Sequence, residues 1–147
     1  MSHSSSTLKE VHQVAWARMF RASQSILEAV EAELKKHKLP PLSWYDLLLE
    51  LNRAGPGGLR PYELQSAMLI RQYSMSRLLS RAEGDQLISR SNCDNDGRGQ
   101  VVVITAEGRA MLKKMWPIYR SVLEKKIGSK LRTAETEELS KILQTLL

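Results

Sequence analysis

Few side chains in this sequence could carry chemistry, and their spacing narrows the choice quickly. No serine or cysteine stands with a histidine and an acid at a recognisable nucleophile spacing, so no compact catalytic set exists and a non-enzyme is expected. His3, His12 and His37 are scattered, with no second ligand at helical or hairpin spacing, and neither a metal nor another cofactor is expected. Cys93 is the only cysteine, which excludes an internal disulfide framework and suits a reducing cytoplasm. What remains is arginine. Between Leu39 and Leu112 every basic residue is one: Arg53, Arg60, Arg71, Arg77, Arg81, Arg90, Arg98 and Arg109. A guanidinium is a planar fork suited to carboxylates and phosphates, so this set either pairs with acids of its own chain or meets an anionic partner. From residue 60 to 100 six arginines face Glu63, Glu83, Asp85, Asp94 and Asp96, a balance of only +1, so local charge does not decide between the two.

The elements that must position these arginines can be read from apolar periodicity. At 147 residues, 42% hydrophobic and 26% charged, the chain has the composition of one ordinary folded unit with a net charge of +6. No run approaches the roughly 20 apolar residues needed to span a bilayer. The start, Met1-Ser-His-Ser-Ser-Ser6, lacks a basic-then-apolar signal. A soluble, cytoplasmic protein without membrane contact is expected.

From Leu8 to about Lys38, Leu8, Val11, Ala15, Met19, Ala22, Ile26 and Ala29 recur at steps of three and four, with a second stripe through Val14, Phe20, Leu27, Val30 and Leu34. A helix apolar on two sides must touch more than one neighbour, and Pro40-Pro41 should stop it. Ser43-Trp-Tyr-Asp46 has the Ser-x-x-acid form of a helix start, followed by Leu47, Leu48, Leu49 and Leu51. Gly55-Pro-Gly-Gly58 ends that helix, and Pro61 suits the first position of the next, reaching about Leu69. After a brief turn at Ile70-Arg71 a fourth helix is expected from Gln72 to about Gly84. It turns Met75, Leu78, Leu79 and Ala82 inward and Gln72, Tyr73, Ser76, Arg77, Ser80 and Arg81 outward. Two short helices joined by a tight turn, the second with a polar arginine face, meet the requirements of a helix-turn-helix.

Leu87–Ser91 and Val101–Thr105 read as strands of a hairpin around the turn-rich Asn92–Gln100. Thr105 can cap a fifth helix carrying Met111, Leu112, Met115, Tyr119, Val122, Leu123 and Ile127, kinked at Pro117 and stopped at Gly128. Thr133, Glu135 and Glu137 open a last helix. The expected fold is thus mainly α with a small β-hairpin wing. Residues 43–105 make a winged helix-turn-helix lobe, and the helices of 8–38 and 106–147 form a dimerisation region within a single unit, 1–147. The terminal helices carry more apolar surface than so small a lobe can cover, and a two-fold homodimer would bury it against its own copy.

Three stretches resemble the MarR family of bacterial transcriptional regulators: Leu42-Ser-Trp-Tyr-Asp-Leu-Leu48, Ser74-Met-Ser-Arg-Leu-Leu-Ser-Arg81 with Leu87-Ile-Ser-Arg90, and the block from Asp96-Gly-Arg-Gly to Thr105-Ala-Glu-Gly-Arg109. The resemblance implies that Gln72, Tyr73, Ser74, Ser76 and Arg77 face the major groove of double-stranded DNA or its phosphates. Arg98 at the wing tip would enter the minor groove, and Asp96 would support the wing by pairing with Arg77 or Arg81. Arg81 is itself either a DNA contact or such a partner, and Arg90 either a DNA contact or a partner of Asp94 or Asp96. The chain departs from the family pattern with Arg71 and Arg60 where capping residues are usual, and with Gln86-Leu-Ile88 at the end of the fourth helix, leaving Gly84 as a substitute stop. The family also implies a repressor released by a small aromatic or phenolic effector, for which Trp16, Met19, Phe20, Trp44, Tyr45 and Met115 could line a pocket between the first, second and fifth helices. The rival reading is a winged-helix interaction module whose arginine face binds an acidic protein.

Overall fold

The computed structural model describes residues 2–71, 74–92 and 99–147, with side chains from residue 9 onward. Six helices, α1 (Ser2–Lys36), α2 (Leu42–Ala54), α3 (Pro61–Ala67), α4 (Met75–Gly84), α5 (Ala106–Leu123) and α6 (Thr133–Gln144), accompany one antiparallel hairpin of β1 (Ile88–Asn92) and β2 (Gln100–Ile104). The chain divides into two compact units, a head of Leu34–Tyr119 and a terminal unit of Met1–Glu33 with Arg120–Leu147. The head therefore extends past the expected 43–105 lobe at both ends, taking in the last residues of α1 and most of α5.

The head's core is built where α2, α3, α4 and the hairpin converge. Leu47, Leu48, Leu51, Leu64, Val102 and Met115 are wholly enclosed, and Leu78, Leu79 and Ala82 bring the inner face of α4 onto them. The expected inward residues of α4 are thus its buried ones, except Met75, which is half-buried. Strand register runs from Ile88 opposite Ile104 to Asn92 opposite Gln100, one residue later than expected for β1 and one earlier for β2. A third strand-like contact escapes the sequence pattern. Leu59 exchanges backbone hydrogen bonds with Val102 at 2.9 and 2.8 Å, closing the hairpin's open edge over one residue.

Helix ends account for most differences from expectation. α1 stops at Lys36, before Pro40-Pro41: the Leu39 N–H donates to the Leu34 carbonyl at 2.9 Å and the Lys38 N–H to that of Lys35 at 3.0 Å, with Lys38 left-handed at φ 58°. α4 ends the same way, Leu87 N–H onto the Ala82 carbonyl and Gln86 N–H onto that of Glu83, with Gln86 at φ 64°. Both are Schellman closures with a long polar residue where glycine is usual, each followed by a leucine. Gly84 is the last regular residue of α4 but is not the substitute stop expected of it, because the left-handed closure falls two residues later on Gln86.

Helix starts differ as well. Ser43 does not cap α2, which begins one residue earlier after Pro41. At α3 and α6 the missing cap is replaced by an acid inside the first turn: Glu63 accepts the Arg60 N–H, and Glu135 the Arg132 N–H, both at 2.9 Å. Thr105 behaves as expected, its hydroxyl accepting the Gly108 N–H at 3.0 Å, and it also donates to the Gln86 carbonyl at 2.7 Å. Pro117 lies inside α5, which continues to Leu123 and a π-helical turn over Glu124–Gly128.

Candidate nucleic-acid interface

The candidate reading helix is α4, and its start is built from the loop that precedes it. Expectation placed that start at Gln72 after a two-residue turn. α3 instead ends at Ala67 and α4 opens at Met75, leaving seven residues between them. Three contacts shape that loop. Met68 is buried, and its extended backbone breaks α3. The Arg71 guanidinium donates to the Ser66 carbonyl at 3.2 Å, and the Ile70 N–H donates to the Asp46 carboxylate at 2.6 Å. Ser74 then caps α4, its hydroxyl accepting the Arg77 N–H at 3.4 Å. That hydroxyl is within 3.3 Å of Ser76 Oγ. Gln72 and Tyr73 lie outside the described residues.

With Leu78, Leu79 and Ala82 locked into the core, geometry leaves Ser76, Arg77, Ser80 and Arg81 exposed on the opposite side of α4. Arg77 and Arg81 stand four residues apart on one face and form no ion pair among the described residues. Like charges at that spacing disfavour an isolated helix by about 0.2–0.5 kcal/mol, a strain that an anionic surface relieves.

Arg90 has a different role from those considered. On β1 it shares a face with buried Ile88 and reaches Glu83 of α4, donating from Nε at 3.2 Å and Nη2 at 2.7 Å. The hydrogen bond from Arg90 holds the Glu83 carboxyl below the usual range. The wing is therefore tied to the last turn of the reading helix by Arg90–Glu83. Cys93, Asp94, Asp96 and Arg98 lie outside the described residues, so the expected Asp96 support and the placement of Arg98 do too.

The expected effector residues fall in different units. In the terminal unit Trp16, Met19 and Phe20 line an apolar hollow of about 650 Å³ with Ile26, Leu139 and Leu143. Trp16 and Phe20 lean together there, ring centroids 5.8 Å apart. In the head Met115 is fully enclosed, Trp44 is half-buried, and Tyr45 joins an aromatic cluster with Tyr119, expected on the apolar stripe of the fifth helix, and Trp116, which sequence reasoning missed. Trp116 stacks on Tyr45 at 6.2 Å, and Tyr119 meets Tyr45 edge-on at 5.2 Å. Burial pushes the hydroxyl pKa values of Tyr45 and Tyr119 up, and for Tyr119 the nearby Tyr45 and Asp46 add to the rise. Among the described residues no three His, Cys, Asp or Glu side chains gather as a metal site, and no helix is long and apolar enough to cross a membrane.

A helix pair whose second member turns an arginine face outward, backed by a hairpin, defines a winged helix-turn-helix head. Residues 37–99 match the sequence model of the MarR family. The chain's fold is that of solved MarR-family regulators. AbsC from Streptomyces coelicolor is 26% identical with a TM-score of 0.77, over 91% of this chain and 90% of that one. Sco3205 from the same organism, solved in complex with DNA, is 24% identical with a TM-score of 0.80, over 91% and 84%. BpsR from Bordetella bronchiseptica, whose DNA binding is regulated by 6-hydroxynicotinic acid, is 22% identical with a TM-score of 0.77, over 91% and 98%. No curated protein matches the chain by sequence.

Proposed function

We propose that this chain is a homodimeric, cytoplasmic repressor that reads a pseudo-palindromic operator with two winged helix-turn-helix lobes. The observation that carries the reading is the exposed row Ser76, Arg77, Ser80 and Arg81 on a helix whose other face is fixed in the core. Such a row can fork onto guanine edges or phosphates. Gln72, Tyr73 and Ser74 extend the contact, Ser74 from its capping position. Arg98 enters the adjacent minor groove, where a narrow width deepens the negative potential. Asp96 steadies the wing.

Dimerisation is supported by the terminal helices. Val11, Trp16 and Phe20 of α1, Ile142 of α6 and Leu146 just beyond it are each more than half exposed in the single chain, more apolar surface than a monomer usually leaves to water. The effector is a small aromatic or phenolic molecule, supported by the apolar hollow of Trp16, Met19 and Phe20 and by the 6-hydroxynicotinic acid response of BpsR. It acts by favouring a dimer whose reading helices no longer match half-sites about 34–36 Å apart.

A salt titration of duplex binding tests this. Arg77→Ala should weaken binding by about 1–3 kcal/mol if it reads a base, or flatten the salt slope by about 1 if it holds a phosphate. Arg98→Ala should weaken binding to many sequences and leave the dimer intact. Normal binding by both variants would overturn the assignment. Binding to an acidic protein without duplex preference would favour the interaction-module reading.

A further inference from the structure

Asp46 is a charged residue buried among the leucines of α2, only 6% exposed. A carboxylate withdrawn from water is costly unless strong hydrogen bonds compensate, so its partner reveals what it is for. That partner is the Ile70 N–H, 24 residues along the chain, at 2.6 Å. Ile70 lies in the loop between α3 and α4, outside both helices. Four residues later Ser74 caps the reading helix. We infer that Asp46 is the positioning residue through which α2 sets the start of the recognition helix.

The inference rests on the proposed DNA reading and adds to it a residue that never meets DNA. α2 is well placed to act as the reference. Leu47, Leu48 and Leu51 anchor it in the core, and Tyr45, beside Asp46, is wedged against Trp116 and Tyr119 of α5. Two other contacts, the Met68 N–H onto the Leu64 carbonyl and the Arg71 guanidinium onto the Ser66 carbonyl, tie the same stretch back to α3. The bond from Asp46 references it directly to α2. What the position requires is an acceptor, more than a charge, because the donor is a neutral amide.

The test uses the full chain and a duplex selected by the wild-type protein from a random-sequence pool, with a scrambled duplex of equal length as the non-specific reference. Asp46→Ala should lower the ratio of specific to non-specific affinity about tenfold, as expected for losing one well-aligned base contact. Asp46→Asn, whose amide oxygen can still accept, should keep most of it. Asp46→Ser, polar but too short to reach Ile70, should behave like alanine and serves if the alanine variant does not fold. In DNA-free protein the Ile70 amide should lose its hydrogen-exchange protection in the alanine and serine variants and keep it in the asparagine variant. A folded alanine or serine variant with a wild-type affinity ratio would overturn the inference while leaving the DNA reading intact. If the wild type selects no sequence, the DNA reading falls and this inference falls with it.

Discussion

Gly108 opens the first turn of α5 at the closest approach of three elements, and replacing it with alanine should damage the head measurably. A Cβ built there collides with the Leu87 carbonyl oxygen and lies 2.7 Å from Ile104 Cγ1 and 3.2 Å from Leu48 Cδ2. The two side chains could give way by a few tenths of an ångström. The carbonyl cannot, because it accepts the Thr105 N–H at 3.1 Å and directly precedes β1. Overpacking against a fixed atom belongs in the upper part of the usual range of about 1–3 kcal/mol. At about 2–4 °C per kcal/mol for a chain of this size, Gly108→Ala should melt roughly 5–10 °C below wild type at equal protein concentration. Gly84→Ala is the matched control. It has nothing within 4 Å of its added Cβ and sits in α4, where alanine should stabilise by up to about 1 kcal/mol. Calorimetry on both variants decides the matter. If Gly108→Ala melts within about 1 °C of wild type, the packing of α5 against the hairpin is not as described.

The Glu83–Arg90 pair predicts a pH dependence. Because the folded carboxyl titrates below its unfolded counterpart, the pair's contribution is complete above the ordinary glutamate range and fades as pH falls through the lowered value. Glu83→Gln should flatten that acid limb in urea melts, and an unchanged limb would show that the pair does not link wing and helix in solution. Phe20→Glu, placed on the exposed face of α1, should turn a sedimenting dimer into a monomer while the head keeps its thermal transition. A dimer that survives the substitution would move the interface elsewhere.

Much of the head was legible in the sequence because its signals are local. Pro61 at the first turn of α3, the Thr105 cap, the β-branched run of β2 and the inward face of α4 each follow from residue type and spacing. The helix ends at Lys38 and Gln86 were not, since left-handed closure by a residue other than glycine has no compositional mark. Ser43 misled because a capping sequence was present while its acid, Asp46, was committed to a distant amide. The same distance hid the length of the α3–α4 loop, where the Ile70 N–H is held by Asp46 of α2. A lone aspartate inside an apolar helix was the available clue. Arg90 was weighed against wing acids, and Glu83 became its partner only once β1 lay beside α4.

The central claim is that two copies of α4 enter successive major grooves on one face of a duplex. Hydroxyl-radical footprinting of the full chain on a selected duplex tests it most directly. The account predicts two protected patches about 10–10.5 base pairs apart, centre to centre, related by the operator's pseudo-dyad and lost together on Arg77→Ala. A single patch, or uniform protection without register, would contradict it.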